Sequence, residues 1–236
     1  MNVSKALRQL MGKKFIVFLI VCLLVIPLFS IPLKASLQAT EKGTLSIYFM
    51  QDQVGYEEYV WEEEEYGYTL TVRGRMTKPI SIEIDELVIS LDKSFIARQF
   101  QFRGKVSGVD QEIRSILSEG KVINIMKVAG QEQSEAVSVR RDAFLLPNQV
   151  FAPYMVLTKK FRCELQEKID ISVYIIPQIE MPATLEPKES EPCRLFMRFA
   201  GIEIELETNE QGVLNTISIP SQNLRVLKTM IGYSGR

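Results

Sequence analysis

The sequence predicts an all-β protein: a large curved antiparallel sheet, either an open barrel or a β-sandwich of about ten to twelve strands, behind one N-terminal apolar helix. Three observations carry that expectation. Apolar and polar residues alternate with period two along most of the chain after residue 40. Glycine-bearing turn signals separate the alternating runs. One long apolar stretch stands before all of them.

That first element runs from Phe15 to Leu33, with Ser30 as its one polar side chain and with Pro27 and Pro32 late in the run. Lys5, Arg8, Lys13 and Lys14 precede it with no acid among them, so the basic flank stays cytoplasmic and the rest of the chain is sent across the membrane. The run exceeds a signal-peptide core of about 7–15 residues and nearly reaches the ~20 residues of a spanning helix. The small residues Ala35, Ser36 and Ala39 follow, but Leu33 and Leu37 occupy the positions that a small-x-small cleavage site would need. Residues 1–35 therefore read as a signal peptide or a retained anchor, and both fates stay open. Cys22, inside the run, is read as an apolar residue and not as a lipidation site. The expected location is the bacterial cell envelope, with residues 40–230 forming one extracytoplasmic β-domain. That domain is either tethered to the inner membrane or exported.

The strands follow in order. Ile80-Ser81-Ile82-Glu83-Ile84 and Gln99-Phe100-Gln101-Phe102-Arg103 alternate cleanly. Ile169-Asp170-Ile171-Ser172-Val173-Tyr174-Ile175 does the same, as does Ile202-Glu203-Ile204-Glu205-Leu206-Glu207. Each has one dry face and one wet face, as expected of an antiparallel sheet. Ser118-Glu119-Gly120-Lys121 and Asn209-Glu210-Gln211-Gly212 read as hairpin loops. Asp85–Leu91 and Asp110–Leu117 admit a short helix as the alternative, and little other helix is expected after residue 40. Met181–Pro192, with Pro182, Pro187 and Pro192, reads as a connection between strands or a loop over an opening.

Composition removes several chemistries. The chain has no histidine, which excludes a Ser-His-Asp triad, a Cys-His pair and HExxH zinc chemistry within it. A net charge of −1 without a Lys/Arg stripe gives no basis for nucleic-acid binding. No Walker spacing surrounds Gly104-Lys105 or Gly120-Lys121. No catalytic, cofactor-binding or metal-ligating residue is assigned, and the expectation is a protein that is not an enzyme. A pair of carboxylates for hydrolysis remains the weaker alternative.

Two features stand out as candidate sites. Tyr56–Tyr68 concentrates acids and aromatics, and Tyr59, Trp61, Glu62, Glu63, Glu64 and Glu65 form a candidate interaction tip. The plainer reading is a hairpin with a solvated Glu end and aromatics packed on the sheet. Cys163 and Cys193 are the two cysteines outside the apolar run. They are either a disulfide stapling the proline-rich connection or two separate buried thiols.

Three blocks resemble uncharacterised bacterial exported β-sheet domains, which occur alone or ahead of α/β-hydrolase domains. The first is Leu45-Ser46-Ile47-Tyr48 with Val54-Gly55-Tyr56-Glu57-Glu58-Tyr59. The second is Leu145–Leu157 with Ile175-Ile176-Pro177-Gln178, and the third is Ile202–Glu207 with Gly212, Ile217–Pro220 and Arg225-Val226. The resemblance covers residues 44–228 loosely. It implies a curved antiparallel sheet and carries over no catalytic residue. Two functions fit a sheet of this kind: holding a lipid or other apolar ligand, or acting as a structural or protein-interaction module beside the membrane, with an envelope protein as partner.

Overall fold

A computed structural model describes residues 40–229. They form β1 (Thr40–Phe49), β2 (Asp52–Glu64), β3 (Gly67–Met76), β4 (Ile82–Asp92), β5 (Ala97–Val106), β6 (Val109–Ser118), β7 (Lys121–Val128) and β8 (Gln131–Ser138). Then follow β9 (Phe144–Pro147), the helix α1 (Tyr154–Phe161), β10 (Ile169–Ile176), β11 (Ile179–Lys188), β12 (Glu191–Phe199), β13 (Ile202–Thr208), β14 (Leu214–Ile219) and β15 (Leu224–Thr229). The expected apolar segment Phe15–Leu33 lies outside the described residues. Among those described, no helix is long and apolar enough to cross a membrane.

All fifteen strands belong to one sheet, in the order β8-β7-β6-β5-β4-β3-β2-β1-β15-β14-β13-β12-β11-β10-β9. Two hairpin meanders meet at its middle, where β1 pairs antiparallel with β15. The one parallel pair is β9 with β10. The sheet is not closed by a backbone ladder, because β8 and β9 remain its edges. It rolls, however, until its ends meet. On β7, Asn124 donates to the Tyr174 hydroxyl of β10 at 2.7 Å and to the Pro177 carbonyl at 3.3 Å. Ser115 of β6 donates to Asn124 at 2.7 Å. A five-residue link, 139–143, joins the two edges.

One alternative is removed and one expectation is corrected. Asp85–Leu91 and Asp110–Leu117 are strand, within β4 and β6. Their alternate residues face the interior, as at Leu87, Ile89, Leu91 and Ser115, and this period overrides local helix propensity. Met181–Pro192 is no loop: residues 181–188 belong to β11 and 191–192 to β12. Ala183 and Leu185 point inward, exposed Pro182 faces out, and a register shift at Pro187/Lys188 absorbs the second proline.

The inner face is read from the register. Tyr59, Val72, Leu87, Phe102 and Ile113 lie side by side across β2 to β6, and Trp61, Leu70, Ile89, Phe100 and Ser115 form the next row. What fills the roll is the chain's own segment from Phe144 to Thr158, buried almost throughout. The helix α1 lies within it. Its residues Tyr154–Thr158 are all buried, and only its last turn, with Lys159 and Lys160, is polar, so little of a polar face is left for a sequence pattern to show. Gly212 makes its close approach possible: a Cβ there would sit 2.4 Å from the Thr158 carbonyl oxygen. The Thr158 hydroxyl donates to the Gly212 carbonyl at 2.9 Å.

The roll has two ends. At the near end β1 begins, and at the far end it finishes at Phe49. Antiparallel order assigns every connection to one of them.

Candidate functional site

A cavity of about 220 Å³ lies at the far end, between the sheet and the segment that fills the roll. Its walls are Ile82, Phe100, Phe102 and Ile113 of β4, β5 and β6. Residues 147–150 and the β10–β11 turn, 176–178, cover it. The strand period brings the walls together: Phe100 and Phe102 are both inward residues of β5, and Ile113 stands opposite Phe102. The lining holds no charged residue, and its polar side chains are the amides of Gln111, Asn148, Gln149 and Gln178.

Gln149 is the unusual member. Its backbone is left-handed, at φ 58°, which costs a non-glycine residue on the order of 1 kcal/mol. Its buried Oε1 has no hydrogen-bond partner, and an orphaned buried acceptor costs about 1–3 kcal/mol. Strain and an unpaired acceptor coincide on one residue of the cavity lining, the kind of place where binding sites store such costs. A second depression, of about 390 Å³, lies at the near end among Arg98, Glu119, Lys121, Arg140 and Arg141. Ile96, Leu117, Val122 and Val139 line it too, but its six charged residues set it apart from the uncharged far-end cavity.

Behind the cavity, a buried acid seats the filling segment. The Glu57 carboxylate on β2 is 1% exposed. It accepts the Phe151 N–H at 2.9 and 3.1 Å and the Ala152 N–H at 2.7 Å. Burial pushes its pKa up to about 7, against the lowering effect of those two N–H donors. Glu41 of β1 lies toward the near end. There it meets Lys159 of α1, accepts the Tyr59 hydroxyl at 2.9 Å and pairs with Lys228 of β15 at 3.2 Å. Burial raises the Glu41 carboxyl. Lys159, Tyr59 and Lys228 together outweigh that and hold it below the ordinary range. Glu57 spends its oxygens on backbone donors and Glu41 on two lysines and a tyrosine, so the two acids serve the packing of α1.

The candidate tip is divided by the structure. Glu63, Glu64 and Glu65 are exposed where β2 turns into β3, and Glu62 is half-buried. Tyr59 and Trp61 lie on the inner face, 2% and 5% exposed, as the plainer hairpin reading has them and not at a surface tip. Cys163 and Cys193 are bonded, with Cα atoms 4.3 Å apart. The bond ties the segment just after α1 to the third residue of β12. Among the described residues no group of His, Cys, Asp and Glu is placed to hold a metal ion.

Sequence reading did not single out Gln149, Ile82, Phe102 or Ile113 as site residues. The available signal was an absence: no charge falls from residue 143 to 158 or from 171 to 179.

The fold and site define a rolled, internally plugged antiparallel sheet with a small apolar cavity under its far-end loops. No family model matches the chain. No curated protein matches it either. Among solved structures, the crystal structure of a DUF1089 family protein from Pseudomonas aeruginosa is similar at a TM-score of 0.44 and 9% identity, over 80% of this chain and 95% of that one. A likeness at this level carries no statement about function.

Proposed function

We propose that this is a non-enzymatic cell-envelope protein, an open barrel that holds a small apolar ligand or the end of an acyl chain in its far-end cavity. One observation carries the reading: an uncharged, apolar-walled cavity remains beside the filling segment, with the unpaired acceptor of Gln149 in its lining. Apolar ligands bind where hydrophobic walls meet a few placed polar groups. The volume, about 220 Å³, exceeds the ~150 Å³ of an apolar cavity that takes benzene. It suits a short segment and not a whole lipid. The envelope location is supported by the one-sided basic flank of Phe15–Leu33. The Cys163–Cys193 bond fits an oxidising compartment.

Native mass spectrometry of the full chain, purified from its host without detergent, tests the reading. A single small apolar adduct is expected, displaceable by a naphthalene-sized fluorescent probe. Ile113→Phe, which adds volume to the cavity wall, is expected to abolish probe binding while leaving the melting temperature within a few degrees. A wild-type chain that carries no adduct and takes up no probe refutes the idea.

The interaction-module reading draws on a different observation. β8 is an edge strand exposed along nearly its whole length, with unpaired backbone groups on one side. A pull-down from envelope extract that fails when Ala136→Pro disrupts that edge would favour it.

A further inference from the structure

The connections of the sheet differ by end. All seven at the near end carry at least one charge: Glu65, Lys93, Glu119, Arg140, Glu164, Glu189 and Glu210 are examples. Of the eight at the far end, one carries a charge, Lys78. The others include Met50-Gln51, Ser107-Gly108, Ala129-Gly130, Pro177-Gln178 and Ala200-Gly201.

Of the seven exposed large apolar side chains among the described residues, four lie at this uncharged end, while Tyr66, Ile116 and Ile123 lie toward the near end among charged connections. Met50 is 63% exposed, Ile179 52%, Val128 42% and Val109 40%. All four lie in or beside far-end turns. They belong to four separate hairpins. Val128 and Ile179 flank the seam where Asn124 reaches Pro177. Val109 pairs with Val106, itself a residue of the cavity lining. The cavity is covered by loops of this same end.

We propose that the far end docks on a zwitterionic lipid surface, with Met50, Val109, Val128 and Ile179 entering its interfacial layer. Apolar side chains gain by leaving water, and uncharged turns avoid the cost of bringing ions toward hydrocarbon. Charge resumes just behind the tips, at Asp52, Lys105, Asp110, Lys127 and Glu132, a collar that stays level with the headgroups. With Lys78 as the one cation in the far-end connections, no attraction to anionic lipid is built in, and binding should be indifferent to salt. Separate side chains around a rim suit a fluid surface, whereas a protein partner needs a contiguous packed patch. The proposal extends the ligand reading, since docking sets the cavity's covering loops against a source of apolar guests. Its test requires no guest.

The full chain is reconstituted in plain phosphatidylcholine vesicles, and vesicles of phosphatidylcholine with brominated acyl chains are then added. Two reporters are compared: Val109→Trp at the far end and Tyr66→Trp at the near end. Bromine quenching of Val109→Trp, equal at low and high salt and absent for Tyr66→Trp, is the expected result. Met50→Asp combined with Ile179→Asp should weaken it about tenfold or more. Ile113→Phe should leave it unchanged, so a failed ligand reading and a failed docking reading give different results. Quenching at neither position, equally at both, or only at Tyr66→Trp overturns the proposal. So does a dimer in sedimentation that the two Asp substitutions dissociate without any quenching, since the occupant is then a second copy of the chain.

Discussion

At the scale of single residues, Glu57 governs how stability depends on pH. Its carboxyl rises from 4.5 to about 7 on folding, because burial disfavours the charged form. An acid raised in the folded state binds its proton more tightly there than in the unfolded chain. The associated stability is full below pH 4.5 and is lost as pH climbs through 7, by at most about 3 kcal/mol. Glu41, held low by Lys159, Tyr59 and Lys228, acts with the opposite sign and in a different window. Its contribution is present above its unfolded pKa and is lost only as pH falls below the ordinary carboxylate range. Urea unfolding at pH 5 and pH 8 should show a wild-type midpoint that falls with pH. Glu57→Gln should flatten that difference, and an unaltered slope would refute the assignment. The sequence offered no way to choose Glu57 among the six acids between Tyr56 and Tyr68. Only the inward register of β2, with Glu57 opposite Leu45, separates it from its neighbour Glu58.

Among the elements, strands were legible and the helix was not. The alternation at 99–103, 169–175 and 202–207 became β5, β10 and β13. The loops at Ser118–Lys121 and Asn209–Gly212 became hairpin turns, with Gly120 and Gly212 at positive φ. The helix α1 was missed for two physical reasons. Burial of five of its eight residues in succession, Tyr154–Thr158, hides any amphipathic period, and Pro153 stands at its N-cap without a side-chain capping bond. Its position depends on contacts that no local pattern reports. Two substitutions test that dependence. Gly212→Ala should cost about 2 kcal/mol or more, from strain at positive φ and collision with the Thr158 carbonyl, read as a lowered urea midpoint. Replacing Cys163 and Cys193 by serine opens a bond spanning 30 residues. The loss should approach about 3–4 kcal/mol if chain entropy dominates. The far-ultraviolet circular dichroism of the folded state should remain unchanged.

For the molecule as a whole, a mostly antiparallel sheet was legible because many of its strands keep one dry face, as β4, β5 and β13 do. The strand number, fifteen against about ten to twelve, was not. The excess lies in places where period two is blurred. β11 carries prolines, β9 has only four residues, and β8 is exposed along nearly its whole length. The cavity was beyond sequence reading for a different reason. Its walls come from one half of the sheet and its cover from segments that follow the edge strand β9 and β10. They meet because the sheet rolls until Asn124 reaches Tyr174. Strand patterns fix which face is dry but not how far a sheet curls.

The pairing of β1 with β15 has a mechanical consequence. Thr44 stands opposite Thr229, so the described span begins and ends side by side at the near end. The stretch of β1 from Thr44 to Phe49 separates that pair from the far turns by about 17 Å. The domain therefore has a handle at the pole opposite its far-end turns. A tag or neighbouring domain joined at either side would hang from the handle and leave the uncharged rim clear.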